Sequence, residues 1–160
     1  MGEETGGRLV TVKTKFHREA VRPGGVSRSG ANMSSARAVA ALKADVEQQI
    51  GSAVIPLVEL LQNWDATKVD QGCDWAALTR DLAGLAGLHL LTEVAMHSFD
   101  CLDAVAVDGV PLKPAEAVCY ADALIFAQQD LCRGSDLEPY RDLLKDLETL
   151  TNRVAGRAAA

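Results

Sequence analysis

The chain has 160 residues, 48% of them apolar and only 4% aromatic, with a formal net charge of −6. That length holds one ordinary hydrophobic core, and the scarcity of aromatic residues suits helix packing better than strands. No uncharged run approaches the roughly 20 residues of a membrane helix, which excludes a helical span.

The four cysteines, Cys73, Cys101, Cys119 and Cys132, show neither a C-x-x-C pair nor zinc-like spacing, and fit a reducing, cytoplasmic compartment. Charge is unevenly placed. Residues 1–32 carry six basic and three acidic side chains, a net +3, whereas from Met33 onward ten basic face nineteen acidic, a net −9. An acidic body repels phosphate backbones, so nucleic-acid binding by that body is not expected.

Residues 1–32 are rich in glycine and lack a sustained apolar period, which predicts a disordered basic arm. Met33-Ser-Ser-Ala-Arg also has the form of a natural start, so the arm can lie upstream of the true first residue. Residues 33–160 form the expected domain. Its first segment, about Ser35 to Trp64, places Val39, Leu42, Val46, Ile50, Val54, Leu57 and Leu61 at steps of three and four, one face of a long helix. Gly51 and Pro56 predict a kink, or two consecutive helices, because proline removes the amide that would bond Ser52. Asp65 to Cys73 reads as a loop, with Asp74 as the cap of the next helix.

Asp74 to Val107 reads as one long central helix, apolar over most of its circumference. Leu82, Leu85, Met96 and Phe99 lie within about 60° of Leu78 at the helical step, and Leu90 and Val94 extend the arc. Surplus apolar surface on such a helix predicts a partner interface, with Leu90 and Val94 at its edge. Gly84 and Gly87, three apart, are read as a close-packing patch for a neighbouring helix, the alternative being a break. Pro114 is placed to open a third helix that runs to Arg133, with Gly134 as a left-handed cap. Ser135 and Glu138 have capping-box spacing for a fourth helix, whose tail beyond Asn152 is expected to fray. The predicted architecture is an all-α antiparallel four-helix bundle: a long kinked first helix, a long central second helix and two shorter ones.

One polar strip interrupts the central helix. His89, Glu93 and His97, spaced by four, stack on one face and could offer imidazole and carboxylate to a divalent cation. Histidines eight apart are about 12 Å apart along the axis, too far to share one ion, so further ligands would have to come from elsewhere. Glu-x-x-His pairs, Gly-x-x-x-x-Gly-Lys loops, Gly-x-Ser-x-Gly elbows and His-Glu-x-x-His motifs are all absent, and no cofactor is implied. The expectation is a cytoplasmic, non-catalytic helical protein that binds another protein chain or a copy of itself. The alternative is a metal-binding or enzymatic bundle built on His89, Glu93 and His97.

Overall fold

The computed structural model describes residues 28–157. Among them are five helices: α1 (Arg28–Gln62), α2 (Val69–Ala86), α3 (His89–Asp108), α4 (Pro114–Ala127) and α5 (Arg141–Ala155). Short 3-10 turns occupy Ala66–Lys68, Asp130–Cys132 and Glu138–Tyr140, and the described residues contain no strand. The all-α expectation holds, while the count of four gives way to five. The predicted disordered arm lies outside the described residues up to Ser27, and residues 28–32 already belong to α1.

The chain divides inside α1, between Ala41 and Leu42, into two units. In the first, the described part is helical and residues 32–41 are exposed. In the second, α1 buries Ile50, Ala53, Val54, Leu57 and Leu61, the face that its three- and four-residue spacing predicts. The helix passes Gly51 and Pro56 without a break, so the two-helix alternative does not occur. Asp74 does not cap α2, which opens earlier, at Val69, with no side-chain cap; Asp65 caps the 3-10 turn before it, its Oδ1 accepting from the Thr67 amide at 3.0 Å.

The predicted central helix is two helices. Gly87 sits at φ 72°, in the left-handed region where glycine alone avoids a Cβ clash, and the Leu88 amide reaches back to the Ala83 carbonyl at 2.9 Å. This is a Schellman ending, so the break prevails over the close-packing reading. Gly84 is not a packing site either, since a Cβ there would meet Thr92 only at 3.9 Å. Close approach falls instead at Gly72, where a Cβ would lie 2.8 Å from Leu60 and 3.2 Å from Leu102. There α1, α2 and α3 come together.

The break frees each half to choose its own face. α3 is the central helix: α2, α4 and α5 all pack against it, and Leu90, Leu91, Val94, Ala95 and Leu102 are buried in it. α2 needs only one buried face, formed by Gly72, Ala76, Thr79, Leu82 and Ala83. Leu78 and Leu85, predicted to join Leu82 in the core, are therefore exposed.

α3 ends on Gly109 at φ 64°, and the extended connection tucks Val110 and Leu112 into the core. α4 opens at Pro114 as predicted but closes at Ala127, before the expected Arg133. A 3-10 turn then buries Cys132, whose thiol approaches the Phe126 carbonyl at 3.4 Å, so Gly134 has no helix end to cap and does not take a positive φ. α5 begins at Arg141 after the Glu138–Tyr140 turn, where Asp136 rather than Ser135 accepts from the Glu138 amide at 3.0 Å. Its buried Leu147, Leu150 and Val154 follow the predicted stripe.

Candidate functional site

The strip His89, Glu93, His97 lies on α3 as the spacing dictates. His89 is exposed in the first turn, while Glu93 and His97 are half-buried. These two edge a groove of about 580 Å³ between α3 and α5, floored by Met96 and Leu144, with Arg141 and Lys145 on the opposite rim. Arg141 is already paired with Glu138. His89 does not line the groove. Among the described residues no three of His, Cys, Asp and Glu gather where a metal ion could be held. The groove can hold apolar groups between charges of both signs, but it contains no nucleophile beside a base.

Two of the thiols, Cys73 and Cys101, are held in the protonated form. All four cysteines are free. Burial pushes Cys101 up to about 11, and burial followed by the charge of Asp103 does the same for Cys73. At neutral pH both remain thiols rather than nucleophilic thiolates. Cys119 is exposed, its thiol directed at the Ala115 carbonyl 3.3 Å away.

Sequence reading missed a two-point ion pair on a buried carboxylate. Glu116, in the first turn of α4 and 8% exposed, accepts from Arg157 Nη1 at 2.7 Å and Nη2 at 2.5 Å. The Lys113 amide donates to the same carboxylate at 3.1 Å, and Arg157 also donates to the Pro111 carbonyl at 2.8 Å. The paired guanidinium, aided by that amide, holds the Glu116 carboxyl down at about 2. As far as Arg157 the segment expected to fray beyond Asn152 is thus fastened, the rest of it lying outside the described residues: α5 runs to Ala155, and Val154 has no exposed surface. Behind the clasp, the hydroxyls of Tyr120 and Thr151 hydrogen-bond at 2.8 Å inside the core. The Glu116–Arg157 pairing joins residues far apart in sequence, and no local motif announces it.

Apolar surface without cover lies elsewhere. Leu90 and Val94, expected at a partner interface, are each 0% exposed in this chain's own core. A side chain with no accessible surface has none to offer a partner, so that expectation is corrected. Exposed apolar side chains are instead spread over the surface, among them Ile55, Val107 and Leu131, with Val39 and Leu42 on α1, each 63% exposed, and Leu78 and Leu85 on α2, at 48% and 80%. No described helix is long and apolar enough to cross a membrane. No family model, curated protein or solved structure matches the chain.

Proposed function

We propose that this chain is a non-catalytic binding module of the cytoplasm that pairs helix to helix with another protein chain. One observation carries the reading: Val39 and Leu42 continue the three- and four-residue apolar period of α1, yet each keeps 63% of its surface. The residues around them, 32–45, are exposed without interruption. An isolated helix of that length is marginal in water, and exposed leucine forgoes about 1.5–3 kcal/mol of burial, so a partner helix laid on this stripe supplies what the stretch lacks. The free thiols favour a reducing compartment.

A photo-crosslinking amino acid at Leu42, compared with one at exposed Glu59, tests the reading inside cells. A discrete covalent adduct with another protein chain is expected from position 42 and not from position 59. No adduct at position 42, or equal labelling at both, would sink it.

A further inference from the structure

We propose that the exposed face of α2 is a docking surface for α1 of a second copy of this chain. The inference rests on α1 being a partner-binding helix, and it names the partner. On α2, Asp74, Leu78, Asp81 and Leu85 recur at steps of four, three and four and fall within about 60° of one another. All four are exposed, and Asp70 adds a further exposed carboxylate one turn earlier. Arg80 offsets Asp81 in part, with its Nε 2.9 Å from that carboxylate. Two bare leucines among aspartates make a face that gains by burial yet repels phosphate and other anions. Its fitting occupant is a helix that carries apolar side chains together with positive charge.

This chain contains such a helix. From its start at Arg28 to Asp45, α1 holds Arg28, Arg37 and Lys43 and no acidic residue before Asp45. Val39 and Leu42 stand exposed inside that basic stretch. Val39 and Leu42 are three residues apart, about 4.5 Å along the axis, and can lodge between Leu78 and Leu85, whose seven-residue spacing spans about 10.5 Å, on parallel or antiparallel axes. The charge of the whole chain follows the same division. Residues 1–41 carry seven basic and three acidic side chains, and residues 42–160 carry nine and nineteen. Contact between α1 of one copy and α2 of another therefore sets opposite charges together, and when each copy both gives and receives, a twofold pair closes.

The test is sedimentation of the full chain in low salt over concentrations up to about 100 µM. Wild type is expected at twice the 17.0 kDa of one chain, shifting toward monomer in about 1 M salt, where screening is nearly complete. Leu78→Glu with Leu85→Glu on α2, and Val39→Glu with Leu42→Glu on α1, should each give folded monomers with unchanged helical circular dichroism. Mixing the two variants should restore a pair, because one retains the intact α1 and the other the intact α2. An α1-on-α1 contact would not be rescued in this way. A wild-type monomer at every concentration overturns the proposal, while an adduct of Leu42 with some other protein would leave the binding function standing. A dimer that survives the α2 variant, or two variants that stay monomeric on mixing, overturns it equally.

Discussion

At the scale of single residues, the buried carboxylate of Glu116 carries a charge that two guanidinium bonds hold in place. Its pairing with Arg157 lowers its pKa from 4.5 to about 2, so the folded state prefers the ionised form. The stability this contributes is fully present above the unfolded value and is lost as pH falls through the range from 4.5 to about 2. Glu116→Gln is expected to cost about 1–3 kcal/mol at pH 7, because Arg157 then lacks its charged partner. Denaturant unfolding of wild type and variant should converge as the pH approaches 2, and a difference that persists there would show that the cost is packing rather than charge. The polar strip predicts the opposite outcome. His89 is exposed and His97 half-buried, and neither belongs to a metal cluster among the described residues. Replacing both with Gln should change stability by no more than about 0.5 kcal/mol, as at ordinary surface positions. A purified protein that holds one tight equivalent of zinc, and loses it in this double variant, would reverse that conclusion.

At the scale of elements, existence was legible and continuity was not. The periods through Ile50, Val54 and Leu57, and through Leu147, Leu150 and Val154, locate buried faces because a 3.6-residue turn stacks them. From Asp74 to Val107 the same rule joins two helices, since α2 and α3 are both apolar and periodicity alone does not register a single left-handed residue between them. The glycines separate these roles experimentally. Gly87→Ala should destabilise by about 1–2 kcal/mol, the cost of a Cβ at φ 72°. Gly84→Ala, with room beside Thr92 and a helical backbone, should be neutral or gain up to about 1 kcal/mol. Gly72→Ala forces Leu60 or Leu102 to move and should destabilise. Thermal melts of the three variants decide between break and close packing. Equal losses at Gly84 and Gly87 would favour the uninterrupted helix.

At the scale of the whole molecule, the candidate surface was only half legible. The apolar surplus was visible in the sequence, but its location depended on which helix becomes central. Once α3 is enclosed by α2, α4 and α5, Leu90 and Val94 are consumed, and Leu78 and Leu85 of α2 are left uncovered, as is Leu42 of α1. The groove edged by Glu93 and His97, like the clasp of Glu116 and Arg157, requires knowledge of which helix lies beside which, information that no local spacing holds. The same uneven enclosure should appear as a gradient of protection along α1. Amides from Val54 to Leu61 belong to a stretch whose side chains enter the core, and they should exchange only through large-scale opening. Those of residues 33–45, all with exposed side chains, have only the helix's own hydrogen bonds to slow them and should exchange faster by orders of magnitude in the dissociated chain. Hydrogen exchange read by mass spectrometry at low and high protein concentration measures both states. Protection that rises with concentration at residues 33–45 and on α2 around Leu78 and Leu85, and nowhere else, is the result expected of pairing between copies. Slow exchange at 33–45 in the dilute chain would mean that α1 finds its cover without a partner.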